Sequence, residues 1–204
     1  MENNHSTSKK QLTTPGISLM RYIQKSNIKP TGINSSQVMK LMEIENGASI
    51  QIAVNSQTPS FHQLLNSLKL MDRNDIIKGL STYIQIIVNN AWTLPTPLST
   101  YQAVMIVDDL VKQYPDFTIE DVVCILRMAR TGQFGSVYNH IDQAMFFEWV
   151  QKYLDSRLDI WESEYNKKKS QHGSPVRDSQ VIALSDKMIR KSNRPPDERM
   201  FENK

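Results

Sequence analysis

The stretch from Tyr114 to Arg157, YPDFTIEDVVCILRMARTGQFGSVYNHIDQAMFFEWVQKYLDSR, constrains the chain more than any other. Thr118 stands three residues before Asp121, with Glu120 beside it. A hydroxyl can therefore cap the first free amides of a helix while carboxylates meet the positive end of its dipole. Ile119, Val122, Val123, Leu126 and Ala129 then recur at spacings of three and four, one face of a helix. Gly132 ends it, because a residue without a Cβ enters the left-handed conformation at little cost. The loop G-Q-F-G-S-V-Y-N-H-I-D follows, and Asp142 can cap a second, longer helix. That helix carries Met145, Phe146, Trp149 and Tyr153 beside Phe147, Val150, Leu154, Leu158, Trp161 and Tyr165. A stripe of this kind predicts core or a partner seam.

The helix, the G-x-F-G-x-x-Y-x-x-I-D phrase and the helix ending in W…Y…R together resemble the C-terminal part of small helical proteins of uncharacterised function from phages and mobile elements of gut Bacteroidota. The resemblance covers about residues 114–157. It implies a phage or mobile-element setting and transfers no site residue.

Elsewhere the chain reads as more helices. Ile17 to Ile28 has a brief helical pattern, too short to stand alone. Ser35 and Ser36 can cap a helix through Val38, Leu41, Met42 and Ile44 that Asn46-Gly47 would end. Ile50, Ile52 and Val54 alternate with Gln51 and Ala53, the one strand-like phrase. Thr58-Pro59 opens a helix with Phe61, Leu64, Leu65 and Leu68, and Asp72 to Asn74 breaks it. The run from Ile76 to Trp92 is apolar on more than one side and predicts a central helix. Ser99 with Gln102 forms a capping box before a helix through Val104, Met105, Val107, Leu110 and Val111. The expected fold class is all-α: a single helical domain of five to six helices with a long C-terminal helix and flexible termini. A disordered arm covers 1–16, the helical domain 17–165 with its core from about Ser35, and a basic, largely disordered tail 166–204.

The net charge of +3 is unevenly spread: residues 166–204 hold ten basic and five acidic side chains, a surplus of five. Lys and Arg on such a tail can neutralise phosphates without reading sequence, which makes Lys167, Lys168, Lys169, Arg190 and Lys191 the candidate nucleic-acid contacts; a solvated or protein-binding tail is the favoured alternative. Within the tail, Val181, Leu184 and Met188 share one side of a short amphipathic phrase that would form stably only on a partner.

Chemistry is sparse. The four histidines, His5, His62, His140 and His172, have no second ligand at metal spacing, so no metal site is expected. Adjacent Asp108 and Asp109 diverge by about 100° on a helix and suit a solvated face better than one ion. No phosphate-binding loop, dinucleotide fingerprint or nucleophile elbow occurs, which argues against an ATP-driven helicase loader and leaves no cofactor to expect. Gly132 and Gly135 match the G-x-x-G of KH-type RNA binders, but that loop needs an immediate helix and a supporting sheet. Cys124, the one cysteine, lies among Val122, Val123, Ile125 and Leu126 and reads as a buried small hydrophobe in a reducing cytoplasm. No leader pattern and no membrane-length apolar run is present.

The expectation is a non-enzymatic adapter in the cytoplasm of a host cell. It presents Trp149, Tyr153, Trp161 and Tyr165, with Val181, Leu184 and Met188 of the tail, to a protein partner in DNA replication, in the manner of an ATP-independent helicase loader. The alternative is a virion protein that assembles through its long helix.

Overall fold

A computed structural model describes residues 13–55, 57–67, 71–137 and 139–172. They form seven α-helices and a π-helical turn and contain no named strand: α1 (Pro15–Lys25), α2 (Ser35–Asn46), α3 (Ile50–Ala53), the π turn (Gln63–Ser67), α4 (Arg73–Ala91), α5 (Thr100–Gln113), α6 (Ile119–Arg130) and α7 (Gln143–His172). The all-α reading and the long C-terminal helix are therefore correct. Among the described residues no helix is long and apolar enough to cross a membrane. The chain divides into two units, 1–161 and 162–204, and each is taken by itself.

In the first unit α4 is the hub. Ten of its nineteen residues are buried, on more than one side as its sequence suggests, and it packs against α5, α1 and α6. Each helix around it starts from a side-chain cap. Thr118 and Asp121 close a capping box on α6, Ser99 and Gln102 another on α5. At α7 the Oδ1 atom of Asp142 accepts from the Met145 amide at 2.9 Å. At α2 the cap is Asn34, one residue before the serines expected there; its side chain accepts from the Gln37 amide while the Gln37 side chain reaches back to the Asn34 amide.

Four expectations change. α1 is a full part of the core, with Ile17, Leu19, Met20 and Ile23 all 4% exposed or less, so the core begins well before Ser35 and the helix begins at Pro15, inside the arm expected to be disordered. Two glycines allow this: a Cβ on Gly79 would fall 2.2 Å from Met20 Cε, and one on Gly16 would fall 2.7 Å from Ile119 Cβ. The alternating phrase at Ile50–Val54 is the one-turn helix α3, because the Ser49 side chain accepts from the Ile52 amide and starts a helical turn instead of a strand. The Thr58-Pro59 segment first pairs its backbone: Ser60 bridges Thr118, Phe61 N–H donates to Phe117 O at 2.7 Å and His62 N–H to Pro115 O at 2.9 Å. Only then does it coil into the π turn. Finally, α5 turns Ala103, Ile106, Val107, Leu110 and Val111 inward, which leaves Met105 outside the core.

The glycine loop behaves as its sequence implies. Gly132 and Gly135 have φ of +79° and +100°, and Phe134 folds back to stack on Trp149 with ring centroids 6.5 Å apart. Trp149 stacks in turn on Trp92 at 5.8 Å. Tyr138 lies outside the described residues. In the second unit α7 continues to His172, where Lys167 pairs with Glu164 at 2.9 Å and the Ser170 hydroxyl donates to Lys167 O.

Candidate interaction surface

The buried polar groups of the first unit hold helices to one another. Asp121 is fully buried; its Oδ2 accepts from the Thr118 amide and hydroxyl at 2.6 and 3.0 Å, and its Oδ1 from Tyr153 OH at 2.6 Å and Arg157 Nε at 2.9 Å. The Arg157 guanidinium also lies 5.3 Å over the Phe117 ring. Burial, followed by the neighbouring Asp121 charge, holds the Tyr153 hydroxyl far above its ordinary range, so it stays protonated and donates. Four donors fill the acceptor sites of this carboxylate, and α6 is bolted to α7.

A second cluster ties α2 to α6. Glu45, 1% exposed, pairs with Arg130 at 2.8 Å, and Arg127 donates to Ala48 O just beyond α2. Glu45 also lies beside the buried Tyr83 hydroxyl of α4, although Tyr83 OH and Glu45 Oε2 complete no hydrogen bond of ordinary geometry. Burial raises the Glu45 carboxyl above the usual range, outweighing the opposing pull of Arg130. Cys124 sits in the α6 core with its thiol pushed up to about 12 by burial, so it is held as a thiol and lacks the thiolate a nucleophile needs.

Asp108 and Asp109 part company as their helical spacing requires. Asp108 pairs with Arg73 and Lys112, and Asp109 accepts from Gln143. Among the described residues no group of three His, Cys, Asp or Glu side chains is placed to hold a metal ion. An open recess of about 390 Å³ lies between the Pro95-Thr96-Pro97 link and the loop before α7, with Gln102, Asn139, His140 and Ile141 completing its wall. Its one ionisable group, His140, is occupied by Asp142 at 3.2 Å.

The residues expected to meet partners fall in three places. Trp149 and Tyr153 are 3% and 0% exposed and belong to the core, where the aromatic stack and Asp121 hold them. Trp161 is half-buried, as is Tyr165 in the second unit. Val181, Leu184, Met188, Arg190 and Lys191 lie outside the described residues. Of the candidate phosphate contacts, Lys167 and Lys168 are exposed and Lys169 is half-buried.

The exposed apolar surface is elsewhere. Tyr101 and Met105, one turn apart on α5, are 73% and 37% exposed; Met39 and Met42, one turn apart on α2, are 71% and 41% exposed. The sequence holds a signal for the first pair, since Tyr101 and Met105 lie off the face that Ala103, Ile106 and Leu110 share. Comparison with family models, with curated proteins and with solved structures finds no match to the chain.

Proposed function

We propose that the protein is a non-enzymatic adapter that binds a protein partner through the outer side of α5. The observation that carries this reading is the Tyr101–Met105 pair. A large aromatic and a flexible thioether stand in solvent one turn apart, while the core face of the same helix is fully occupied. Tyr offers apolar area with a polar tip, and Met adapts to irregular surfaces, a combination suited to an interface. Beyond Met105 the same side carries Asp108 between Arg73 and Lys112, a charged rim to an apolar centre.

The resemblance over residues 114–157 makes proteins of a phage or mobile element the first candidate partners, replication proteins ahead of virion proteins as the alternative. The test is affinity capture from cells carrying the element, with the full chain and a Tyr101→Ser/Met105→Ser variant. A helicase, primase or polymerase subunit held by the native chain and lost from the variant supports the replication adapter. Portal, capsid or tail proteins lost in the same way assign the surface to virion assembly. Equal capture by both chains overturns the proposed surface.

A further inference from the structure

We infer that the outer side of α1 and the turn after it bind the phosphate backbone of a nucleic acid. The charge of the chain is segregated. Residues 1–42 hold six basic side chains (Lys9, Lys10, Arg21, Lys25, Lys29, Lys40) and a single acid, Glu2, whereas residues 43–165 hold eight basic and fifteen acidic ones. Arg21, Lys25 and Lys29 lie on α1 or just past it; Lys25 and Lys29 are exposed and Arg21 half-exposed. None of the three has an ion-pair partner among the described residues. Lys40, by contrast, is paired with Glu43 at 2.8 Å.

Local structure sets the spacing. Arg21 and Lys25 are one helical turn apart on one face, about 6 Å. The helix then ends in a Schellman turn: Asn27 takes φ of +44° and donates to Gln24 O at 3.2 Å, and the Ile28 amide donates to Ile23 O at 3.1 Å. Ile28, 6% exposed, packs inward and fixes where Lys29 leaves the helix end. A lysine in a last turn gains from the helix dipole, which accounts for Lys25 but not for Arg21 a turn earlier or Lys29 beyond the cap.

Amides and hydroxyls accompany the cations along this stretch of chain. Gln24, Ser26, Asn27, Thr31, Ser35 and Ser36 are all exposed, and such groups, alongside Arg and Lys, donate hydrogen bonds to phosphate and sugar. A membrane surface fits less well. An interfacial helix inserts its apolar face into lipid, and the apolar face of α1 is committed to the core.

This surface stands apart from the α5 reading, and so does its test. Fluorescence anisotropy with labelled duplex and single-stranded DNA and RNA, over a KCl series, compares three full-length chains: native, Arg21→Gln/Lys25→Gln/Lys29→Gln, and Lys167→Gln/Lys168→Gln/Lys169→Gln. The expected result is salt-dependent binding by the native chain and a slope of log K against log salt smaller by about 2 to 3 in the α1 variant, one unit per lost phosphate contact. The Lys167–Lys169 variant keeps the contacts at α1. Thermal melting checks that the α1 variant is folded; if it is not, Lys25→Gln and Lys29→Gln are measured singly, and each is expected to cut the slope by about 1. The inference is overturned by an unchanged slope in the α1 variants, by no binding at low salt, or by binding to anionic vesicles without binding to nucleic acid.

Discussion

Glu120 Oε1 accepts a hydrogen bond from the backbone amide of Gly16 at 2.8 Å, across 104 residues of sequence, in a site where both groups are buried. The free amides at the start of α1 are thus satisfied from α6 as well as from Thr14, whose hydroxyl accepts from the Ile17 amide at 3.4 Å. Gly16→Ala is expected to destabilise the fold by about 1–3 kcal/mol, because the new Cβ would lie 2.7 Å from the branched Ile119 Cβ and 2.8 Å from Glu120 Cδ. Glu120→Ala should cost about 1–3 kcal/mol by stranding a buried donor, and Glu120→Gln less, since it keeps an acceptor. Urea unfolding followed by circular dichroism measures all three; a neutral Gly16→Ala would show that α1 does not sit against α6.

Removing Arg157 leaves Asp121 as a fully buried carboxylate without its cation. Arg157→Met is expected to lose about 3–5 kcal/mol, and Tyr153→Phe about 1–2 kcal/mol through one lost donor. The two effects should be non-additive, because both side chains bond the same oxygen. A double-mutant cycle by chemical denaturation reads the coupling, and strict additivity would dissolve the cluster.

Cys124 should be silent toward a maleimide or an aromatic disulfide in native buffer and react fully once denaturant is added, since its thiol is buried and pushed up to about 12. Fast stoichiometric labelling at neutral pH without denaturant would contradict the packing of α6.

Glu45 gives a pH dependence of definite sign. Its folded-state carboxyl lies above the ordinary value of 4.5, with burial as the leading cause. Its contribution is therefore full below that unfolded value and is lost as pH rises through the raised folded value. Glu45→Gln keeps an oxygen for Arg130 and carries no charge. The melting temperature of this variant, relative to the native chain, is expected to climb as pH rises from about 4 toward neutrality. A difference that stays flat or falls over that window would reverse the assignment.

What the sequence made legible was local. The capping boxes at Ser99/Gln102 and Thr118/Asp121, the Asp142 cap and the stop at Gly132 all depend on partners within a few residues, and all appear in the fold. The depth of α1 depended instead on two glycines meeting Ile119 and Met20 from distant parts of the chain, which no periodicity within α1 reveals. Ile50–Val54 misled because a single helical turn is too short to show a period, so the alternation of Ile50, Ile52 and Val54 stood out alone. At the proposed interaction surface, apolar character singled out Trp149 and Tyr153, passed over Tyr101 and counted Met105 with the inward face of its helix, because only packing separates a residue held by an aromatic stack or a buried aspartate from one left in solvent.

The backbone pairing of Ser60 with Thr118, and of Phe61 and His62 with Phe117 and Pro115, has a kinetic corollary. It closes a loop that contains both α4 and α5. Neighbouring helices in a bundle ordinarily assemble from near contacts and fold fast, whereas joining distant segments spends chain entropy before it returns any bonding. Closing this clasp should therefore come later in refolding than the pairing of α4 with α5. Shortening the loop would speed that late step more than it would raise the melting temperature.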